Sequence, residues 1–261
     1  MSDLALRSAR VIVVRHWWVV RRANPWSPLV EGLFEPFLYL MSIGVGIGTL
    51  IGAHGRVIAG GYSYASFVAP ALLATSAMNT AANQTIWGIW YRLKFERFYD
   101  SLIATPLTAA DVAVGEAWAA TLRGGVAGIC FLAVIAALSM VHSLWAVLAV
   151  PAVVLIAFAF ASAGVAVATM MRELHHNQYV QLFMLPMFLF SATFYPLSVY
   201  PAPLHYLIAA LPLYQSTVLL RDLTLGHANG AQLLLAVAYL AVMGTASLWF
   251  AARRLKGILA H

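Results

Sequence analysis

Long apolar runs separated by short polar breaks dominate the chain, and the runs have helix length rather than strand length. They cover about residues 29–51, 63–90, 111–140, 144–171, 178–195 and 231–252. A helix needs roughly 20 apolar residues to cross a hydrocarbon core, so the pattern predicts an all-α polytopic membrane protein with six transmembrane helices. The breaks are a glycine-rich loop at 52–62, a polar stretch at 91–108, a tight turn at His142 and Ser143, and a polar loop at 172–177. Residues 196–230 fit neither pattern, because Pro196, Pro201, Pro203 and Pro212 cut them into short apolar pieces. Those pieces predict interfacial or re-entrant half-helices between spans five and six.

The first 28 residues have a different periodicity. At about 100° per residue, Arg7, Arg10, Arg15, Arg21 and Arg22 fall within an arc of roughly 140°. Ile12, Val13, His16, Val19 and Val20 lie outside it, while Val11, Val14 and Trp18 blur the boundary. This predicts an amphipathic helix in the cytoplasmic interface, with arginines toward lipid phosphates, ended by Asn24-Pro25 and Ser27-Pro28. Val11 to Val20 is interrupted by Arg15 and no small-residue cleavage site follows, so no cleavable signal peptide is expected. The organisation expected is residues 1–28 as interfacial helix, 29–252 as transmembrane domain and 253–261 as a basic cytoplasmic tail. Thr108, with Asp111 three residues later, predicts the N-cap of the third span.

Composition sharpens this picture. Of 261 residues, 62% are hydrophobic and 9% charged, against roughly a quarter charged in soluble domains. Six spans and their loops leave no room for a soluble catalytic domain of about 100 residues. The energy for any work must therefore come from a gradient or from another polypeptide. The single cysteine, Cys130, lies in an apolar run as a packing residue, which excludes a disulfide framework within the chain.

The net charge of +6 would suggest nucleic-acid binding in a soluble protein, but here it sets orientation, and no nucleic-acid partner is expected. With both termini cytoplasmic, the inner segments hold Arg7, Arg10, Arg15, Arg21, Arg22, Arg92, Lys94, Arg97, Arg172, Arg253, Arg254 and Lys256, twelve of the fifteen basic residues. Arg56 and Arg221 fall on the outer side, and Arg123 falls within a span.

Catalytic motifs are absent. No GxxxxGK[ST] is present, so the chain carries no P-loop of its own. No HExxH occurs, and the adjacent His175 and His176 are poorly placed to ligate one metal. Charges inside spans are costly and therefore informative. Glu31 and Glu35 share a helix face, as do Glu116 and Arg123, seven residues apart and too distant for a relaxed direct pair. For the glutamates two readings stand, interfacial anchors near the inner boundary or members of a transport path; Arg123, deeper, is a pathway candidate. Gly44, Gly48 and Gly52 form overlapping GxxxG steps that suit close helix contact, within the chain or across a dimer. The run Lys94, Phe95, Glu96, Arg97, Phe98, Tyr99 and Asp100 mixes charge with three aromatics on the cytoplasmic side. It reads as a docking segment for a partner, or as aromatics packed on the span ends or lipid.

Taken in order, these segments resemble the ABC-2 type permeases, and among them the membrane subunit of nodulation-factor exporters. The similarity runs through Glu35-Pro36-Phe37-Leu38-Tyr39-Leu40 with Gly44-Val45-Gly46-Ile47-Gly48, then Ala74-Thr75-Ser76-Ala77-Met78, then Glu96-Arg97 and Thr105-Pro106-Leu107-Thr108. It continues through Gly115-Glu116-Ala117-Trp118, Phe190-Ser191, Phe194-Tyr195-Pro196, Leu211-Pro212-Leu213 and Arg221. Arg123 stands where nodulation exporters carry lysine, a departure that keeps charge but changes hydrogen-bond geometry.

The resemblance implies the membrane subunit of an ATP-driven exporter in the cytoplasmic membrane. ATP and Mg would be bound by a separate ATP-binding subunit, two copies per complex, and not by this chain. A second permease subunit, identical or homologous, would complete the pathway. A coupling helix at about 93–103 would meet the ATPase, with Gly115 and Glu116 as the cytoplasmic motif of span three. Substrates would be lipid-linked saccharides such as lipo-oligosaccharides, polysaccharides, or hydrophobic drugs, as in multidrug or antibiotic efflux. Two alternatives fit less well. A gradient-driven carrier or channel predicts internal repeats and deep acidic sites, and an intramembrane enzyme predicts paired catalytic residues at one depth; the sequence has neither.

Overall fold

The computed structural model describes residues 27–42, 46, 62–94, 108–171, 173, 176–226 and 229–259. Regular structure among these is entirely helical, the form in which an unpaired segment meets most of its backbone hydrogen bonds internally, as a bilayer requires. Helix α1 spans Ser27–Ser42, α2 Tyr64–Lys94 and α3 Ala109–Ala137. A 3-10 turn, Leu144–Leu148, leads into α4, Ala149–Met170. Helix α5 covers His176–Phe190, α6 Ala202–Ala209, α7 Pro212–Leu225 and α8 Gly230–Leu259.

Among the described residues, three helical segments are long and apolar enough to cross a membrane: Ala109–Ala137, Leu144–Met170 and Gly230–Ile258. Helix α2 is the longest at 31 residues, but its polar face keeps it out of that set. Helix α5 is apolar and shorter, with Gln178–Phe190 as its apolar part. The N-terminal amphipathic helix, Gly44, Gly48, Gly52 and the segment Phe95 to Tyr99 lie outside the described residues.

Small residues bring α2, α3 and α4 together. A Cβ built on Gly124 of α3 would lie 2.9 Å from the Ala81 methyl of α2 and 3.1 Å from that of Ala157 in α4. On α4, Gly164 faces Thr85 and the carbonyl of Ala82 so closely that no side chain fits between. In a bilayer, where lipid tails are as apolar as leucine, such close approach is a main source of helix association. Helix α8 lies against α4, with Gly244 beneath the Phe158 ring. Outward faces carry Leu234, Leu235, Val242 and Trp249 of α8 and Leu122 and Val126 of α3, all exposed.

Local signals place the helix ends. Thr108 and Asp111 form a reciprocal capping box: the Thr108 N–H donates to Asp111 Oδ2 at 3.0 Å, and the Asp111 N–H donates to Thr108 Oγ1 at 3.2 Å. The prolines of 196–230 start helices as well as breaking them, since Pro203 and Pro212 sit in the first turns of α6 and α7, where no N–H is needed. Gly226, at φ 87°, closes α7 with its N–H on Asp222. Helix α5 stops at Phe190, short of the 195 expected, because Ala192 turns at φ 53°. That turn lets the Phe194 ring meet Phe188 edge to face at 5.3 Å and its carbonyl accept a hydrogen bond from Tyr64 Oη at 3.1 Å. Helix α8 runs past residue 252 because Arg253 and Arg254 hold its end, stacking on Trp249 at 3.8 Å and donating to the Thr169 carbonyl at 3.0 Å.

Candidate functional site

Two neighbouring faces of α2 carry the polar groups that its apolar surroundings make conspicuous. Thr75, Asn79 and Asn83 recur at i, i+4 and i+8 and so share one face. Gln84, Gly88 and Arg92 recur in the same way on the adjacent face.

The first face meets α1 and α5 across a cavity of 140 Å³. Thr75 and Asn79 of α2 and Gln181 of α5 supply its polar lining; Pro36 and Tyr39 of α1, Met78, Met184 and Phe188 supply apolar walls. Gln181 Nε2 donates to Asn83 Oδ1 at 3.4 Å, a weak tie between α2 and α5. The Thr75 hydroxyl donates to the Ala71 carbonyl at 2.9 Å, so its oxygen retains acceptor capacity toward the cavity. None of the lining residues is charged. Uncharged amides beside aromatic walls can bond neutral polar groups while burying apolar ones. Sites for drug-sized ligands run from about 300 Å³ upward, so α5 has to move away from α1 and α2 before such a molecule fits. Pro186 interrupts the hydrogen-bond ladder of α5 at mid-length, and Leu182, Phe183 and Leu185 leave much of that helix exposed.

The second face forms a ladder with α3. Arg92 Nη2 donates to Glu116 Oε2 at 2.9 Å, with both residues buried. Arg92 Nε donates to the Gly88 carbonyl at 2.8 Å, and a Cβ on Gly88 would stand 2.8 Å from Arg92 Nη2, so only glycine lets the guanidinium lie flat along α2. Arg123 Nη1 donates to Gln84 Oε1 at 2.8 Å. From Gln84 to Arg92 and from Glu116 to Arg123 are each two helical turns, so these bonds are the two rungs of an antiparallel pair. Ile89, Val112, Ala117, Val165, Ala251 and Leu255 form an apolar cluster from α2, α3, α4 and α8 near the Arg92 end.

At the opposite end, Tyr62 Oη donates to the Leu225 carbonyl at 2.8 Å, the Tyr62 and His142 rings meet edge-on at 5.1 Å, and the His142 N–H donates to the Thr224 carbonyl at 2.9 Å. Arg221 of α7 donates to the carbonyls of Phe67 and Ala192 at 3.3 and 3.0 Å.

These contacts revise several expectations. Glu116 is not an interfacial anchor, because it is 3% exposed and ion-paired. Arg92 is not a loop charge but a buried residue in the last turns of α2. Glu116 and Arg123 do share a face, as the spacing implied, yet each takes its partner from α2 rather than from the other. Gly115 is buried beside Glu116. Arg123 is not part of the cavity lining. Arg221, expected on the outer side, has its guanidinium on two buried backbone segments. Lys94 is the last described residue of α2, and the docking segment beyond it lies outside the described residues. Asn79, Asn83, Gln84 and Gln181 were missed, although polar residues four apart within a span are a readable signal. Among the described residues no cluster of His, Cys, Asp and Glu could hold a metal ion.

Comparison with known proteins gives a consistent answer. The family described as ABC-2 type transporter matches residues 8–225. The chain is 33% identical over 221 residues to Nodulation protein J of Rhizobium leguminosarum bv. viciae, covering 81% of this chain and 83% of that protein. It is 32% identical over 219 residues to Nodulation protein J of Rhizobium leguminosarum bv. trifolii, with 83% and 81% covered. Against Nodulation protein J of Sinorhizobium fredii the identity is 31% over 235 residues, with 86% and 87% covered.

Proposed function

The chain belongs to the ABC-2 type transporter family, and from that premise we propose that it is the membrane subunit of an ATP-driven exporter for an uncharged amphipathic substrate. The observation that carries the substrate class is the polar face of α2 at Thr75 and Asn79, opposed by Gln181 across a cavity with apolar walls and no charge. A lipid-linked saccharide or a drug-like molecule with neutral polar groups suits that lining. Both have an apolar part for Tyr39, Met184 and Phe188 and acceptors or donors for the amides.

The subunit works with a separate ATP-binding subunit, two copies per complex, which holds ATP and Mg. A second permease subunit, identical or homologous, faces it. The exposed apolar residues Phe34, Leu38 and Met41 of α1 supply surface for such a neighbour. The Arg92 end of the helices is assigned to the cytoplasm, since Arg92, Arg253, Arg254 and Lys256 gather in the terminal turns there. The six spans are then α1 to α5 and α8, with α6 and α7 as the outer lid, and the cytoplasmic membrane as location. The segment 93–103 docks on the ATPase.

The test is purification from native membranes with identification of every co-purifying chain, followed by ATPase assays in nanodiscs with candidate substrates. A P-loop ATPase recovered at one copy per membrane subunit, and stimulated by a neutral lipid-linked saccharide or drug, supports the proposal. Recovery of this chain alone in detergents that preserve known transporters points instead to a gradient-driven carrier.

A further inference from the structure

We infer that Arg92 and Glu116 are a positioning pair that makes the roots of the 95–107 segment one rigid body, so that force applied to that segment reaches the cavity through α2. The inference rests on the exporter reading and adds the residues that transmit its stroke. Arg92 and Glu116 bracket the segment, 24 residues apart in sequence and 2.9 Å apart in space. Each root is fixed a second time. Arg92 is bound to its own helix through the Gly88 carbonyl. The start of α3 is closed by the Thr108–Asp111 capping box, in which Asp111 is itself buried. The Gln84–Arg123 bond repeats the tie two turns further in.

A loop with free roots absorbs a push by hinging, whereas one with locked roots passes it on. The two rungs hold α2 and α3 against sliding or splaying, and the glycine contacts at Gly124 keep their backbones too close to rotate separately. The same helix α2 carries Thr75 and Asn79 on the cavity wall, while α5, opposite, is tied to it by the weak Gln181–Asn83 contact. Motion of the α2–α3 body relative to α5 therefore widens or closes the cavity. The ion pair is suited to this role because both partners are buried: a separated buried charge is costly, so the pair stays closed through the stroke.

The experiment uses the complete complex with its ATP-binding partner in nanodiscs, in a Cys130→Ala background with a bimane fluorophore on Leu182→Cys. Leu182 is an exposed residue of α5 outside the cavity lining. Three quantities are read: recovery of the partner, ATPase rate, and the bimane emission change on trapping with ATP and vanadate. Arg92→Glu and Glu116→Arg are each expected to keep partner and ATPase activity while the trapped-state emission change falls about tenfold; the double reversal is expected to restore it. Arg92→Lys, which keeps the charge without the fork, is expected to restore part of it. A purely structural pair would lower recovery or ATPase activity together with emission.

Full emission changes in both single reversals, or a folded double reversal no better than the singles, overturn the inference. If the reversals do not assemble, Arg92→Met and Glu116→Gln read the same ratio: loss of the emission change with ATPase kept supports the pair, and an intact change overturns it. An unmodified chain that never recovers an ATP-binding subunit overturns the exporter reading, and this inference with it. A coupled wild type with coupled variants overturns this inference alone.

Discussion

The guanidinium of Arg221 lies 3.8 Å above the ring centroid of Phe67 and donates to the Phe67 carbonyl beneath it, so α7 is held to the first turn of α2 by one side chain. Its Nη2 reaches the Ala192 carbonyl in the turn that ends α5. The start of α2, the end of α5 and α7 thus meet at one cation, with Phe67 more than a hundred residues from the other two. Arg221→Met is expected to cost about 2–4 kcal/mol, since it removes two charge-assisted hydrogen bonds and a cation–π contact. Thermal unfolding in detergent measures this. Arg221→Lys is expected to recover less than half, because an ammonium cannot reach both carbonyls with a planar fork.

The contact between α2 and α4 at Gly164 leaves no room for a methyl group. Gly164→Ala is expected to destabilise by about 1–3 kcal/mol through overpacking. Thr85→Ala on the facing helix removes the hydroxyl that a new Cβ would meet, so the double variant is expected to be more stable than Gly164→Ala alone. Urea or thermal melts of the three variants check the sign; equal stability of the single and double variants would remove Thr85 as the obstacle.

Substrate contact across the cavity makes Asn79 and Gln181 the side chains to replace. Asn79→Leu and Gln181→Leu are each expected to weaken substrate-stimulated ATPase activity about 2- to 10-fold in apparent affinity, the value of one neutral hydrogen bond. Basal ATPase activity and recovery of the partner should be unchanged. Loss of basal activity in both would locate their role in assembly rather than in the pathway.

Phe95→Ala and Glu96→Lys address the docking segment. Both are expected to leave the chain inserted while separating ATP hydrolysis from transport, because an aromatic anchor and a complementary charge are what such an interface depends on. Normal substrate stimulation in both variants would remove residues 93–103 from the coupling role.

Much of this arrangement is legible in the sequence. Helix content follows from apolar runs that no strand could span, and the start of α3 follows from Thr108 and Asp111, whose capping box forms as the spacing required. The division of 196–230 into short helical pieces is signalled by proline, although the same prolines initiate α6 and α7 rather than merely interrupting the chain. The partners of Glu116 and Arg123 were not legible. Periodicity tells which residues share a face of one helix, but which residue stands opposite depends on the register between two helices. Here glycine and alanine contacts around Gly124 set that register, and a list of small residues does not state it. The burial of Arg92 is hidden for a related reason: near the end of a span it reads as a solvated inner charge, and the proximity of Glu116 makes burial tolerable. The cavity was missed because asparagine and glutamine carry no charge and pass as minor interruptions of an apolar run.

The polar face of α2 also bears on how the protein is made. A segment carrying Thr75, Ser76, Asn79, Thr80, Asn83, Gln84 and Thr85 gains little by leaving water for lipid unaided, and it is not among the segments apolar enough to do so by composition. Its amides and Arg92 are offset only once α3 and α5 stand beside it, supplying Arg123, Glu116 and Gln181. On the proposed six-span reading, α2 is therefore expected to insert together with α3, as a hairpin in which Glu116 and Arg123 already match Arg92 and Gln84.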